Sequence, residues 1–519
     1  MRRAHRGLLA SGLFTCVLGA LACGNDDGDG GGGTPSGGQS ATAGSANAGT
    51  AASGGTAGSA GSAGNAGAGG VSSAGAGGTE GGIGGDLPLV GTPSVAWDYT
   101  GIIGTGQSLS VGAQAGNITP AATTQPYGNM KLSLGNLAVP PFDASSAELS
   151  LVPLTEPIRA VDNSYPNAYP RNLDGESPHT AMSAQLTALA KDNGGLADFV
   201  TVHTVVGESG QGMNIINKAA QEVVNADGTT QGRAYAASLF EVQAIKRLAE
   251  AQGKTYGVGA IFLTHGETDA GSATYENDML QLWTDYNADI KAITGQTQSI
   301  TLFTSQQHGI YLYAPGQAPS NINPSTLQQW KAGVDHPEAI VTTGPKYQYP
   351  YFSDYLHLVP LGYELMGEKY AEVYYEHVLL GHPWQPLQPL PETVVRSGRD
   401  ITLDFHVPVP PLAWDDALPK PHIADLTEWA EGRGFEVRQG ATRLTIESVT
   451  LVDEDTVKIT CTTDVPAGAT LGYAATNDGA AISGFSPRIG NLKDSDPFVG
   501  EMTGMTQANY AVAFELTVP

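Results

Sequence analysis

Between Tyr99 and Leu379, apolar runs of strand length alternate with stretches of helical spacing, and this alternation constrains the fold more than any other feature of the chain. Tyr99–Gly104, Phe199–Val206, Tyr256–Thr264, Gln298–Gln306 and Ala339–Thr343 are apolar, mostly β-branched runs and read as buried strands. Ser177–Gly194, Arg233–Gly253, Met279–Thr294 and Leu361–Leu379 read as helices, the first behind a serine cap and the second ending at a glycine. Continuous apolar strands separated by helices predict a mostly parallel sheet covered on both faces, a three-layer α/β/α domain spanning residues 87–391. In such sheets chemistry gathers at the carboxyl ends of the strands. Over residues 392–519 the pattern changes to short β-rich pieces between Gly, Pro, Asp and Asn turns, which predicts an all-β, sandwich-like C-terminal domain.

Residues 1–86 stand outside both patterns. MRRAHR followed by GLLASGLFTCVLGALA has the layout of an export signal, a basic start and an apolar run too short to span a bilayer. The A-L-A-C stretch resembles a lipoprotein processing box. It predicts a signal over residues 1–23, lipidation of Cys23, and attachment to a membrane facing the periplasm or cell exterior; ordinary cleavage and secretion is the alternative. Residues 24–86 are almost entirely Gly, Ala, Ser, Thr and Asn, a composition that offers too little apolar area to offset the entropy of ordering and reads as a disordered tether. With Cys16 in the signal and Cys23 modified, Cys461 alone remains, so the mature chain has no disulfide framework. A formal net charge of −26 argues against nucleic acid as a partner.

Four loops at or near strand ends carry polar residues: GTGQSLS from Gly104, GESGQG over Gly207–Gly212, HGETD over His265–Asp269, and FSDYLH over Phe352–His357. Acyl transfer by a serine needs an imidazole to take the hydroxyl proton and a carboxylate to hold the imidazole's tautomer. Asp354 and His357 are three residues apart, a spacing that lets one turn pair them. Two serines compete for the nucleophile. Ser108 follows the first strand; Ser209 lies in GESGQ, one residue away from the hydrolase elbow G-x-S-x-G, with Gln211 where the second glycine belongs. The residue pattern alone leaves both open.

Taken in order, GQSL at Gly106–Leu109, SGQG at Ser209–Gly212, HGETD at His265–Asp269 and DYLH at Asp354–His357 resemble the four sequence blocks of the SGNH/GDSL hydrolase superfamily. The match is nearest to a carbohydrate-esterase branch that includes sialate O-acetylesterases and acetylxylan esterase-like proteins, and it spans Tyr99 to His382. The resemblance implies an SGNH-hydrolase-like fold, with Ser108 as nucleophile, His357 as general base and then acid, and Asp354 as orienting carboxylate. It also implies an oxyanion hole built from the N–H groups of Ser108 and Gly210 and the side chain of His265, which stands where the branch usually carries Gln. Gln107 and Glu267 take supporting roles, and Leu109 replaces the branch's usual Asn. The implied activity is removal of acyl groups, acetyl above all, from carbohydrate esters, with an acylated carbohydrate as substrate and no cofactor. A general short-chain esterase or lipase, and a non-catalytic surface carbohydrate-binding protein on the same fold, are the alternatives.

His179, His203, His265, His308 and His336 form no short-range metal motif, and His203 lies in a strand where core satisfaction is expected. Two long irregular stretches, Leu151–Asn172 and Gly309–Pro324, the second with Tyr311 and Tyr313, are candidate walls of a substrate cleft.

Overall fold

The computed structural model describes residues 93–115, 118–134, 140–158, 175–224, 228, 230–309, 323–478 and 484–519. The expectations for the signal, Cys23 and the tether, for Tyr311 and Tyr313, and for the later part of the 151–172 stretch lie outside the described residues. The described residues form one compact unit.

A seven-stranded sheet lies at the centre of the α/β part. Its strands are β1 (Tyr99–Gly106), β2 (Met130–Ser133), β3 (Ser150–Pro153), β4 (Thr201–Val205), β5 (Tyr256–Thr264), β6 (Thr301–Gln306) and β7 (Ile340–Pro345). They are arranged in the order β3-β2-β4-β1-β5-β6-β7. All neighbours pair in parallel except β2 and β3, which are antiparallel at one edge. The helices are α1 (Pro178–Ala188), α2 (Arg233–Ala251), α3 (Tyr275–Thr294), α4 (Pro324–Asp335) and α5 (Pro360–Tyr374). Period-two alternation divides the core. Ile102 of β1 packs with Met182 of α1 and Met366 and Tyr370 of α5 on one face. Its neighbour Ile103 packs with Phe240 of α2 and Leu282 and Tyr286 of α3 on the other.

Two strands and one helix escape the sequence reading for physical reasons. β2 and β3, the last two strands on one side of the sheet, are four residues each and mostly not fully buried, so they carry no sustained apolar run. Helix α4 begins at Pro324, a residue that reads as loop in sequence although its fixed φ suits the first helical turn.

The C-terminal part is β-rich. Strands β8 (Asp400–His406), β10 (Ile446–Leu451) and β11 (Thr456–Cys461) belong to one sheet, while β9 (Phe435–Gln439), β12 (Thr470–Tyr473) and β13 (Phe514–Thr517) belong to another. In β8 and β11 every second residue is buried. Ile401, Leu403, Val457 and Ile459 from one sheet share a single apolar cluster with Phe435, Val437, Leu471 and Phe514 from the other, the packing of two sheets face to face. Tyr347 of the α/β part enters this cluster, and its hydroxyl donates to the Ala511 carbonyl at 2.6 Å. Gln306, the last residue of β6, exchanges hydrogen bonds with the backbone of Ala513 at 2.8 and 2.9 Å.

Candidate active site

β1 lies between β4 and β5 in the sheet, so the chain leaving it enters the crevice where strand order reverses. Gly106 makes that exit possible. Its φ of +139° is a backbone state that side chains avoid, and a Cβ there would run into the Thr264 carbonyl. A short 3₁₀ turn, Ser108–Val111, follows and closes at Gly112 in the left-handed region, φ +72°. Ser110 is spent inside this turn, its hydroxyl donating to the Gln107 carbonyl at 2.6 Å. The Gln107 side chain accepts from the Thr268 N–H at 3.1 Å and ties the turn to the third loop.

Ser108 is left facing His357, with 2.7 Å between Oγ and Nε2. The other ring nitrogen, Nδ1, lies 2.7 Å from Asp354 Oδ2. Asp354 Oδ1 accepts the backbone N–H groups of Leu356 and His357, both at 3.0 Å. This tight turn places Tyr355 at φ +56°. Partial burial works against ionisation of Asp354, but the hydrogen bonds from the His357 ring and from the two backbone N–H groups outweigh it and hold the carboxyl below its ordinary value. An anionic acceptor at Nδ1 keeps the proton on that nitrogen and leaves Nε2 to accept from the serine hydroxyl. The three residues that the sequence blocks single out, 249 and 3 positions apart, are therefore brought into one hydrogen-bonded line.

The second loop lies against the first. Glu208 N–H donates to the Gly106 carbonyl at 2.8 Å, and a Cβ on Gly207 would run into the Ser110 hydroxyl. Gly210 has φ +73° with open space where a Cβ would stand, and neither its N–H nor that of Ser108 has a partner among the described residues. The Ser209 hydroxyl is buried without a partner among the described residues, and no imidazole of theirs faces it.

His265 departs from the oxyanion role expected of it. It is fully buried and stacked on Tyr275, with Nδ1 2.7 Å from the Tyr275 hydroxyl and Nε2 2.9 Å from the Gln211 carbonyl. Burial pushes its pKa down and keeps the ring neutral. A carbonyl only accepts, so Nε2 carries the single proton and Nδ1 accepts from tyrosine. No N–H remains for an oxyanion. The imidazole instead holds the carbonyl of Gln211, next to Gly210. Glu267 is also buried, ion-paired with Lys346, which is itself fully buried; its second oxygen, Oε2, has no partner among the described residues. Neither Tyr275 nor Lys346 was legible as a support of the site, because each meets its partner only through the fold.

Leu109 is fully buried in the core beneath α1 and α5, so the residue replacing the branch's usual Asn is a packing residue. His179 and His203 are buried with their Nδ1 atoms 3.0 Å apart, and His203 Nε2 meets Thr201 Oγ1 at 3.0 Å. Burial pushes both rings down in pKa and keeps them neutral. Among the described residues no group of three or more His, Cys, Asp or Glu is arranged to hold a metal ion, and no helix is long and apolar enough to cross a membrane.

No family model and no curated protein matches the chain. Solved structures with some likeness to it include a carbohydrate acetylesterase from Xanthomonas citri, at 12% identity over 81% of each chain and a TM-score of 0.48. A protein from Arabidopsis thaliana aligns at 14% identity over 54% of this chain and 99% of its own, with a TM-score of 0.37. A carbohydrate acetylesterase from Sinorhizobium meliloti aligns at 12% identity over 53% of this chain and 97% of its own, with a TM-score of 0.25. None of the three reaches a TM-score of 0.5, and the functional reading rests on the residues of this chain.

Proposed function

We propose that the chain is a serine esterase of the SGNH-hydrolase type that removes acetyl groups from carbohydrate esters through an acyl-serine intermediate. The observation that carries this reading is the hydrogen-bonded line from Asp354 through His357 to Ser108. Ser108 Oγ bonds to the ester carbonyl carbon while its proton passes to His357 Nε2. Charge develops on the carbonyl oxygen, and the N–H groups of Ser108 and Gly210 stabilise it there. The tetrahedral species collapses, the C–O bond to the sugar breaks, and the leaving alkoxide takes the proton from His357. Water then enters, gives a proton to the same nitrogen, and attacks the acetyl carbon; acetate departs and Ser108 recovers its proton. Asp354 holds the imidazole's tautomer throughout and stabilises the transient imidazolium.

The substrate class follows from the ordered resemblance of the four loops to the carbohydrate-esterase branch. Lipidation at Cys23, with residues 24–86 as a tether and the β-rich residues 392–519 as an accessory part, belongs to the same proposal and places the enzyme outside the cytoplasm. A serine-directed fluorophosphonate tests the nucleophile: labelling is expected at Ser108, lost in Ser108→Ala and retained in Ser209→Ala. Label found on Ser209 would overturn the assignment. Acetate release from acetylated xylan or O-acetyl sialic acid, set against aryl esters of longer acyl chains, tests the substrate class; a preference for long chains points to a lipase.

A further inference from the structure

A short segment of the β-rich C-terminal part, Gly484–Arg488, meets the loop that carries Asp354 and His357. The Gly484 carbonyl accepts the Tyr351 N–H at 2.7 Å. Tyr351 in turn bridges to Leu358 in antiparallel fashion, and Phe352 N–H donates to the His357 carbonyl at 2.8 Å. Those two contacts close the base of the loop that carries Asp354 and His357. Two residues on, the Ser486 hydroxyl donates to the His308 carbonyl at 2.8 Å and accepts the Arg488 N–H at 3.1 Å. Arg488 is 2% exposed, and its guanidinium donates to the Gly309 carbonyl at 3.3 Å and to Asn323 Oδ1 at 3.2 Å. Gly309 touches the same loop from below, since a Cβ there would meet the Leu356 side chain at 2.8 Å and Cγ of Glu267 at 3.1 Å.

One segment from the second sheet system therefore grips the base of the acid–base loop, the chain just beyond β6, and the residue leading into α4. A guanidinium suits that task, because its rigid planar fork spans two acceptors at fixed geometry where an ammonium would serve only as a point donor. We infer that Gly484–Arg488 is a positioning element of the active site, with Arg488 its anchor, so that the β-rich part sets where His357 stands relative to Ser108. The inference rests on the esterase reading for its catalytic consequence, but the coupling between the two parts can be observed without turnover.

The test uses the full chain carrying Arg488→Lys, Arg488→Ala or Ser486→Ala, with Lys420→Ala as a control in an exposed ion pair of the β-rich part. Hydrogen exchange at the amides of Tyr351, Phe352, Leu356 and His357 is read beside the melting temperature and the rate of fluorophosphonate labelling. Faster exchange confined to those amides is expected in the Arg488 and Ser486 variants. The maximal labelling rate should fall about 10- to 100-fold, the half-saturating probe concentration should stay nearly constant, and Lys420→Ala should match the parent. Unchanged exchange in Arg488→Lys and Ser486→Ala overturns the inference whether or not the protein is labelled. So does a loss of labelling that only tracks the folded fraction. A parent protein that resists the probe yet shows the exchange response in its variants upholds the coupling and refutes the esterase reading instead.

Discussion

The turns after β1 and β4 begin from nearly the same materials. Each leaves a parallel strand of the same sheet, each is rich in glycine, and each presents a serine within a few residues. Yet the Ser108 hydroxyl meets an imidazole at 2.7 Å while the Ser209 hydroxyl is buried with no partner among the described residues. The difference does not lie in the serines. It lies in what the fold brings opposite them: the loop after β7 delivers His357 to the first turn, and the second turn is left to offer backbone N–H groups. Under the proposed esterase reading, the position of the base therefore selects Ser108 over the elbow-like Ser209.

The largest way to break this contrast short of removing Ser108 is to disturb the imidazole's tautomer. Asp354→Asn keeps the shape of the turn but replaces an anionic acceptor with an amide that can also donate to Nδ1. The proton then settles on Nε2, where it no longer accepts from the serine, and the maximal rate of ester hydrolysis should fall about 10⁴-fold. A loss no greater than tenfold would mean that Asp354 does not hold the tautomer. A smaller loss is expected from the other turn. His265→Phe removes the hydrogen bond to the Gln211 carbonyl and leaves Gly210 less firmly placed, so the acylation rate should fall about 10²-fold with Ser108 still labelled. An unaffected rate would show that the second turn needs no such support.

The contrast also has a stability side. At Gly106 an added Cβ would strike the Thr264 carbonyl, and φ is +139°. At Gly210 the space is open and φ is +73°. Gly210→Ala should therefore cost only the left-handed strain, about 1–2 kcal/mol. Gly106→Ala adds displacement of packed backbone, a further cost of about 1–3 kcal/mol. Urea denaturation reads both, and equal midpoints would contradict the packing difference between the two turns.

These features differ in how legible they are from sequence. The five longest sheet strands and four of the helices announce themselves by periodicity, because burial on both faces demands continuous apolar runs. The group Ser108, Asp354 and His357 was accessible because each stands in a recognisable block at a strand end. His265 shows the limit of that approach. Its block position suggested an oxyanion donor, but its role depends on Tyr275 and the Gln211 carbonyl, ten and 54 residues away in sequence. Leu109 shows the same limit in another form: the residue that replaces the branch's usual Asn is a core residue, because the 3₁₀ turn points it into the sheet's apolar face. Strands β2 and β3, beside and at the sheet edge, are too short and too incompletely buried to carry a pattern at all.

The smallest expected effect separates the glutamates that back the two turns. Glu208, beside the second turn, meets the Arg233 guanidinium at 2.5 Å. Glu176 lies against Gly112 at the end of the first turn and accepts the Thr119 N–H at 2.8 Å. Burial pushes its pKa up to about 8; the Thr119 N–H opposes that shift, and the nearby Glu364 carboxyl adds to it. In the unfolded chain a glutamate releases its proton near pH ~4.3. The folded protein holds one more proton than the unfolded chain between these values, so the stabilisation is fully present below pH ~4.3 and is lost as pH rises through about 8. Glu176→Gln removes that dependence. Its melting temperature should decline less than the parent's between about pH 5 and about pH 8, and the two should differ most at the alkaline end. Parallel declines would mean that Glu176 is already ionised in the folded protein, and that the first turn, like the second, is backed by a charge.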